Sequence, residues 1–314
     1  MHKSCPSCSS KHTKKDGFTP AGSQRYKCVT CSYRYTWQNA TNKYLKAQIW
    51  FKYWVLEGLS KRQISNISPH SYSTIKRLCQ YWLKQAPPTI PYHFAHIKYL
   101  LFDGTYFKHE HCLLVFMDYP TGQVIGHRYT TIRENYQTVY DLACELKQKG
   151  LNPISVTLDG HPSVIRALIT VWPHVKIQRC IYHIIHQGSM WLRTYPKTQA
   201  GKDLKALLQG LGNNDREAFE RDYKQVIEQH GEFIKRLSSK TIGEKDVKKA
   251  MALITNAQGN MWHYEQDENI APTNNKLEGY FSELKQKYRA HKGLKKEHRE
   301  AYLNWYIYYK NRAK

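Results

Sequence analysis

The sequence predicts a mixed α/β protein of several domains, and three observations support this fold class. Between residues 97 and 180, apolar stretches of strand length alternate with helical patterns. Before them, two close cysteine pairs and a basic helical segment occupy the first 88 residues. After them, the chain has helical periodicity to its end. A length of 314 residues is enough for two or three compact units.

The charge of the chain indicates a polyanionic partner. It carries 48 lysines and arginines against 25 aspartates and glutamates, a formal net charge of +23. Such a field attracts phosphate, which makes nucleic acid the leading partner. Residues 1–95 hold 15 of the basic residues but only Asp16 and Glu57 as acids, so we expect this end to meet DNA first.

Two classes of protein are disfavoured by what the sequence lacks. The N-terminus has no apolar signal segment, and no run approaches the roughly 20 apolar residues of a membrane helix. We therefore expect a cytoplasmic protein with no membrane partner. The sequence also has no glycine-rich phosphate loop ending in Lys-Ser or Lys-Thr, so no nucleotide cofactor is expected.

The first domain, residues 1–38, reads as a zinc ribbon. Cys5 and Cys8 form one Cys-x2-Cys pair, and Cys28 and Cys31 form a second after nineteen residues. Each pair places two thiolates on one tight turn, and four thiolates suit tetrahedral Zn2+. A segment this small has too little core to fold by itself, so zinc would supply its stability.

Residues 39–88 are predicted to be helical and resemble a helix-turn-helix DNA-binding domain. Ser60 is placed as the N-cap of one helix, and a second helix follows within "STIKRL". A plain helical linker remains the alternative. The prolines of "QAPPTIPY" mark the boundary with the next domain. The candidate DNA-contacting residues of these helices are Lys61, Arg62, Lys76 and Arg77.

From residue 89 to the C-terminus we expect one catalytic domain with a helical insertion at about 184–268. Three strands joined by short turns predict an antiparallel meander, and alternating helices and strands follow it. This is the element order of a ribonuclease H-like sheet. The expected strands are IKYLLFDGTYFK, CLLVFMDYPTG, QVIGHRYTTI, ISVTLDG and VKIQRC, and the intervening helices are NYQTVYDLACELKQKG and HPSVIRALITVW.

Acidic residues interrupt two of these strands. Asp103 lies in the first strand and Asp159 near the end of the fourth, which are neighbours in this topology. An ionised carboxylate on a buried strand is costly unless a cation compensates it. Two facing carboxylates form a site for divalent cations, Mg2+ or Mn2+, and a pair of such ions promotes phosphodiester chemistry.

A third acid should complete this set. The candidates are Glu278, Glu283 and the cluster Glu265, Asp267 and Glu268. We choose Glu278, because "APTNNKLEG" has the signature of a helix start and places Glu278 near the first turn. Glu283 lies five residues further along the helix and is turned away by about 140°.

The chain resembles the transposases of bacterial insertion sequences in the Mutator-like group. Four motifs carry the resemblance: the ribbon with "AGSQRYKC", the strands with "FDGT" and "LDG", the Cys-x2-His element "CIYH", and "TNNKLEG" followed by "HKGL". The resemblance implies an Asp-Asp-Glu catalytic set, here Asp103, Asp159 and Glu278, as magnesium ligands. It also implies that Cys180 and His183 are the family's signature pair beside the active site.

The function implied is a DNA transposase that binds terminal inverted repeats and catalyses strand cleavage and strand transfer. Its partners would be the transposon ends and target DNA, with a homodimer or higher oligomer assembled on them. Arg289 and Lys292, just after the catalytic helix, are expected to contact phosphates. Two alternatives remain: a DNA-binding regulator with an inert ribonuclease H-like domain, and a structure-selective nuclease.

Overall fold

The structure is a computed structural model. It describes residues 4–20, 22–36, 44–107, 111–131, 134–213, 215–238, 240–291 and 293–313. The chain divides into two compact units. The first comprises residues 1–86 and 290–305, and the second comprises residues 87–289 and 306–314.

A small antiparallel sheet begins the first unit. It contains β1 (Thr13–Phe18), β2 (Gln24–Cys28) and β3 (Arg34–Thr36), in that order. The buried residues around it are Cys5, Cys28 and Tyr35. Because this core is so small, apolar burial alone provides little stability, as the sequence predicts for a metal-dependent segment.

Three helices follow in the first unit: α1 (Gln48–Leu56), α2 (Lys61–Ile67) and α3 (Tyr72–Trp82). The predicted N-cap is confirmed, because Ser60 Oγ accepts a hydrogen bond of 3.2 Å from the backbone N–H of Gln63. The Gln63 side chain accepts one of 2.8 Å from the Ser60 N–H. This reciprocal pair satisfies two N–H groups and fixes where α2 begins.

An aromatic core joins these helices to residues 290–305. Phe51, Trp54 and Trp305 are almost fully buried, and the Phe51 and Trp305 rings meet edge to face at 5.5 Å. The indole N–H of Trp305 donates to the Trp82 carbonyl at 2.9 Å. The hydroxyl of Tyr302 donates to the backbone at Val55. The C-terminal segment is therefore part of the core of the first unit.

The second unit is built on a five-stranded sheet. Its strands are β4 (Tyr99–Phe107), β5 (His111–Asp118), β6 (Val124–Thr130), β7 (Ser155–Leu158) and β8 (Lys176–Arg179), in the spatial order β6-β5-β4-β7-β8. The first three strands pair antiparallel, and β7 and β8 add in parallel on the other side of β4. The predicted meander and both later strands are confirmed.

Two helices connect the strands, α4 (Tyr136–Gln148) between β6 and β7 and α5 (Pro162–Val171) between β7 and β8. Their apolar residues share one core with the sheet, including Phe102, Phe116, Leu142 and Leu168. The parallel strands are buried on both faces, which explains their continuous apolar runs.

Helices make up the rest of the second unit: α6 (Ile181–Leu192), α7 (Gln199–Gly210), α8 (Arg216–Arg236), α9 (Ile242–Ala257), α10 (His263–Gln266), α11 (Asn275–Arg289) and the end of α12 (Arg299–Arg312). Helices α6 to α10 surround a core of their own that includes Leu204, Phe219 and Trp262. Every helix of the described residues is too short or too polar to cross a membrane.

Candidate catalytic and metal sites

The four N-terminal cysteines meet at one point. The Cys5 and Cys31 sulfurs lie 3.6 Å apart, as do those of Cys8 and Cys28, and all four lie within 4.8 Å of one another. Tetrahedral Zn2+ bound at about 2.3 Å requires sulfurs at this kind of spacing. The four cysteines could therefore hold a zinc ion.

The local backbone favours thiolate at this cluster. The N–H of Ser7 donates to Cys5 Sγ at 3.4 Å. The pKa of the Cys28 thiol falls to about 6, chiefly because the backbone N–H of Cys31 hydrogen-bonds to its sulfur. Thiolates are the metal-binding form of cysteine, so the turn at Cys28 favours the form that binds a cation. At Cys8 the Ser10 backbone lowers the pKa of the thiol, but hydrogen bonds with the other cysteine sulfurs and burial raise it to about 12.

The two aspartates of the second unit are brought together by strand register. In the parallel pairing of β4 with β7, Tyr99 lies opposite Ser155 and Leu101 opposite Thr157. Asp103 lies two residues beyond Leu101 on β4, and Asp159 directly follows the end of β7. The negative charge of Asp159 acts on Asp103 and raises its pKa, so the end of β7 brings the second carboxylate close to the first.

Asp103 is held in an environment that opposes its charge. Burial raises its pKa to about 7, and repulsion from Asp159 and Glu278 adds to this. The backbone N–H of Gly104 donates to Asp103 Oδ1 at 2.7 Å, and this hydrogen bond lowers the pKa of Asp103. The positive charge of Lys285 lowers it as well. The three acids predicted from the sequence therefore lie close enough to repel one another at Asp103.

Asp159 occupies a turn that is closed by an arginine. Its Oδ1 accepts a hydrogen bond of 3.0 Å from the His161 N–H, and its carbonyl accepts one of 3.2 Å from Arg179 Nε. Between them, Gly160 has φ of +94° and a side chain there would collide with the Arg179 guanidinium. The "LDG" motif thus needs glycine for both backbone conformation and space.

Glu278 is positioned by anchors at the start of α11. Asn274 is fully buried and donates from Nδ2 to the Phe102 carbonyl at 3.0 Å, which ties this helix start to β4 next to Asp103. The N–H of Glu278 donates to the Asn274 carbonyl at 3.0 Å. Upstream, Thr157 Oγ1 donates to the Ala271 carbonyl at 2.7 Å. The "APTNN" segment thus connects β4, β7 and the third acid.

The Cys-x2-His pair lies next to Glu278. Cys180 is buried at the start of α6, and its sulfur accepts a hydrogen bond of 3.3 Å from the Asn274 N–H. His183, one turn into the helix, places Nε2 3.5 Å from Glu278 Oε1. Burial raises the pKa of the Cys180 thiol, with Glu278 adding to the effect. Cys180 therefore remains a neutral thiol that supports the start of α11.

A fourth carboxylate, which the sequence reasoning missed, lies at this site. Glu134 is half-buried in the turn between β6 and α4. Burial raises its pKa to about 8, and the charges of Asp159 and Asp103 add to this effect. One feature of the sequence could have indicated it: Glu134 is an acid placed directly before Asn135, the N-cap of α4.

The acidic site is more open than the thiol site. Among the described residues, the sulfurs of the four cysteines all lie within 4.8 Å of one another, which is the spacing of a metal-ligand group. The oxygens of the carboxylates are not gathered as closely. Glu278 Oε1 is buried and accepts no hydrogen bond. Hard oxygen donors with an unsatisfied buried acceptor fit Mg2+ or Mn2+ rather than a soft metal.

Comparison with known families identifies the chain. The family model of the Mutator family of transposases matches residues 55–294, which is most of the chain. The chain belongs to the Mutator family of transposases. No individually curated protein matches the chain. The matched range contains Asp103, Asp159 and Glu278, whereas the four cysteines precede it.

Three of the other candidate acids of this transposase, Glu283, Glu265 and Asp267, have structural partners instead. Both carboxylate oxygens of Glu283 accept from Lys310 Nζ at 2.7 Å. Glu265 accepts from the Arg216 N–H at 3.1 Å, and Asp267 accepts from the Tyr99 hydroxyl at 2.9 Å. Glu278 is the one of these candidates whose charge acts on Asp103.

The basic residues predicted to meet DNA are mostly exposed. Arg62, Lys76 and Arg77 are exposed on α2 and α3, and Lys61 is half-buried with its ammonium 5.2 Å from the Trp54 ring centre. In the second unit, Arg289 is exposed at the end of α11. Lys292 lies outside the described residues.

Proposed function

We propose that this protein is a DNA transposase that binds the terminal inverted repeats of its element and carries out metal-dependent strand cleavage and strand transfer. One observation carries the proposal. In a chain of the Mutator family, Asp103 lies on β4, Asp159 directly follows the adjacent strand β7, and both Asp159 and Glu278 are near enough to raise the pKa of Asp103.

The proposed catalytic domain, residues 89–314, is ribonuclease H-like with a helical insertion at about 184–268. The sheet order supports it: a three-stranded antiparallel meander whose first strand is extended by two parallel strands. Residues 1–38 are proposed as a zinc ribbon and residues 39–88 as a helix-turn-helix domain. The helices of residues 48–82, with Ser60 and Ser71 as N-caps, support the second of these assignments.

In the proposed chemistry, Asp103, Asp159 and Glu278 hold Mg2+ or Mn2+. Divalent ions at such a site activate an attacking oxygen and stabilise a leaving oxygen. Water would first attack the phosphodiester at the transposon end and break its P–O3′ bond, which leaves a 3′-hydroxyl on the transposon and a 5′-phosphate on the flanking DNA. That 3′-hydroxyl would then attack a target phosphodiester, form the new P–O bond and displace the 3′-oxygen of the target strand as a hydroxyl. Asn274 sets the position of Glu278, and no covalent bond between protein and DNA is required.

DNA binding is proposed to combine phosphate contacts from both ends of the chain. Lys61, Arg62, Lys76 and Arg77 would contact the terminal repeats, and Arg289 and Lys292 would contact the phosphates near the reacting strand. The charge of +23 supports this assignment. A homodimer or higher oligomer would bring two transposon ends together, because strand transfer joins both to the target.

The experiment is cleavage of a labelled duplex carrying the terminal repeat, in Mg2+, beside a binding assay on the same duplex. Asp103→Asn is nearly isosteric but removes a charge that holds the cations. The rates of strand cleavage and of strand joining should therefore fall by roughly a thousandfold or more. End binding should be unchanged.

A matched pair on α11 controls for damage to the helix. Glu278→Gln should abolish cleavage, whereas Glu283→Gln removes an equal charge five residues along, where the partner is Lys310. The second variant should still cut DNA. Cleavage by Asp103→Asn or Glu278→Gln at the wild-type rate would refute the assignment of these acids.

A further inference from the structure

Helix α6 begins beside the acidic site. His183, in its first turn, places Nε2 3.5 Å from Glu278 Oε1. The residue after the helix, Arg193, has φ of +61°, a conformation that is rare for residues other than glycine. Lys205 Nζ donates to the Arg193 carbonyl at 2.9 Å and holds this turn. At 1.5 Å per residue, about 15 Å of helix therefore separates the third acid from a basic residue on a fixed turn.

The exposed side of α6 is aromatic and apolar rather than charged. Its exposed residues are Tyr182, His186 and Met190, which follow one another at intervals of four and therefore lie along one face. Tyr182 is 45% exposed and Met190 is 61% exposed. The helix contains no lysine, arginine, aspartate or glutamate, although these make up 23% of the chain. Tyr182, His186 and Met190 thus form an outer face of α6 that lacks the charge usual for a surface helix.

The rings of the outer face of α6 continue from the acidic site. The Tyr182 and His186 rings lie 5.7 Å apart and are nearly parallel, with 17° between their planes. The Tyr182 ring also meets the His183 ring edge to face at 6.0 Å. Because His183 lies against Glu278, one chain of ring contacts runs from the third acid to His186.

Such a face suits either a nucleic acid or a second copy of the chain, and charge separates the two. Two copies with a net charge of +23 repel each other, whereas DNA brings the opposite charge. Arg193 and Lys197, both exposed, follow α6 and can contact phosphates. The outer face of α6 also begins at the site where we propose that DNA reacts. Both observations favour DNA as the occupant.

The chemistry of the outer face of α6 favours unpaired DNA over duplex DNA. Duplex DNA is bound mainly through its phosphates by lysine and arginine, and α6 itself has neither. Unpaired bases present their faces, and aromatic side chains stack on them with little regard to the identity of the base. A polarisable methionine such as Met190 likewise adapts to different surfaces. Uncharged rings beside a site for strand cleavage therefore suit bases that have left the duplex.

We propose that the outer face of α6 binds unpaired nucleotides of the strand that reacts at the acidic site. Tyr182 and His186 stack on the bases, and Arg193 contacts a phosphate further along the strand. The inference rests on the proposed function, because it names the form of DNA that the same site takes. Stacked terminal bases would hold the cut strand near Glu278 between cleavage and joining, so that its 3′-hydroxyl stays in position.

The test is ultraviolet crosslinking of the full, zinc-loaded chain to a thymidine oligonucleotide that carries 5-iododeoxyuridine. A length of about twelve nucleotides is typical of single-strand sites. Mass spectrometry then locates the crosslinked residue, because the halogenated base reacts with a ring on which it stacks. The wild type should crosslink at Tyr182 or His186. Tyr182→Ala should lower the yield on α6 by roughly fivefold or more, and Tyr182→Phe, which keeps the ring, should match the wild type.

Tyr195→Ala is the matched control. Tyr195 is 88% exposed but lies beyond the end of α6, outside its outer face, so its loss should leave the yield on α6 unchanged. A wild type without a crosslink on α6, or equal yields from the wild type and Tyr182→Ala, would overturn the inference. Equal crosslinking of α6 to a duplex of the same sequence would overturn it as well. Crosslinks on α6 in a wild type that cuts no repeat duplex would support the inference and contradict the proposed function.

Two further measurements separate stacking from a structural role. Tyr182→Leu keeps apolar bulk but has no ring, so it should melt close to the wild-type temperature and still lose the crosslink. A wild-type yield from this variant would overturn the inference. Without DNA, the wild type and Tyr182→Ala should sediment with the same mass. A smaller mass for the variant would show that a second copy covers the outer face of α6, and this outcome would also overturn the inference.

Discussion

The two candidate metal sites of this transposase differ in how the chain holds their ligands. The thiols of Cys5, Cys8, Cys28 and Cys31 lie within 4.8 Å of one another on a sheet with almost no core. Asp103 lies on β4 and Asp159 directly follows β7, and these two strands are paired and buried in a large core. We therefore expect the first site to depend on a metal for its fold, and the second to be held in place by a fold that does not need one.

The difference lies in what each set of ligands does without a metal. Cysteine side chains without a metal can share or keep protons, so their proximity costs little free energy, but they do not hold the segment together. Carboxylates near a buried sheet repel one another and lose hydration, so the second unit stores an unfavourable interaction that a cation relieves. Metal removal should therefore unfold the ribbon and leave the sheet intact.

The largest expected effect is the loss of the ribbon when zinc is removed. Zinc binding to such sites is worth about 10 kcal/mol or more, which exceeds what the small core provides. In chelator, the amides of β1 and β2 should lose all protection from hydrogen exchange, while those of β5 keep theirs. Protected β1 and β2 amides in zinc-free protein would show that the ribbon folds by apolar packing.

Acid should destabilise the first unit through His291, independently of zinc. His291 is buried and donates to the Trp54 carbonyl at 2.8 Å, and burial lowers its pKa to about 4. The folded state therefore excludes a proton that the unfolded state binds below pH 6.5. Stability is complete above pH 6.5 and falls by about 3 kcal/mol as the pH drops to 4.

The control for this prediction is His291→Gln, whose amide can still donate to Trp54. It should flatten the loss of stability between pH 6.5 and 4 in denaturant unfolding followed at the tryptophans. Zinc release, measured in parallel with a chelating dye, should keep its wild-type pH dependence. An equally steep loss in the variant would assign the acid sensitivity to the cysteines alone.

Asp103→Asn should stabilise the metal-free second unit, in contrast to any loss of a cysteine in the ribbon. The amide removes one repelled and partly desolvated charge, a gain of about 1 to 3 kcal/mol at pH 7. Thermal unfolding in chelator measures it, and added Mg2+ should reverse the order of the two proteins. A lower melting temperature in chelator would mean that Asp103 has a structural partner.

The smallest effects should come from single basic residues on the surface. Lys76→Ala should weaken binding to the repeat duplex by a factor of about two to five and lower the salt dependence by about one ion. Lys224→Ala, an exposed change on α8, is the matched control. Equal losses for the two variants would mean that binding follows total charge and not α3.

The sequence predicts much of the acidic site because strand positions are periodic. The strands around Asp103 and Asp159 are apolar and bounded by turns, so their pairing follows from topology and their register from the apolar pattern. Glu278 was distinguishable from Glu283 because a helix turns by a constant angle per residue. The spacing of the four cysteines along the chain was enough to predict that they form one metal site.

Glu134 escaped prediction because it lies in a turn. Turn residues have no periodicity, and their side-chain direction depends on the helix that follows, here on how α4 packs on the sheet. The structural reason for the glycine in "FDGT" could not be predicted from the sequence either. Gly104 makes room for Leu114, Cys112 and Glu134, which are distant in sequence and meet only in the folded sheet.

The most direct test of the account is anomalous diffraction from crystals of the zinc-loaded chain grown with Mn2+. Data at the zinc edge should give one peak among the four cysteine sulfurs. Data sensitive to manganese should give density bound by Asp103 and Asp159, and none at the ribbon. Manganese absent from these two carboxylates, or bound only elsewhere, would contradict the claim that they form the metal site of this transposase.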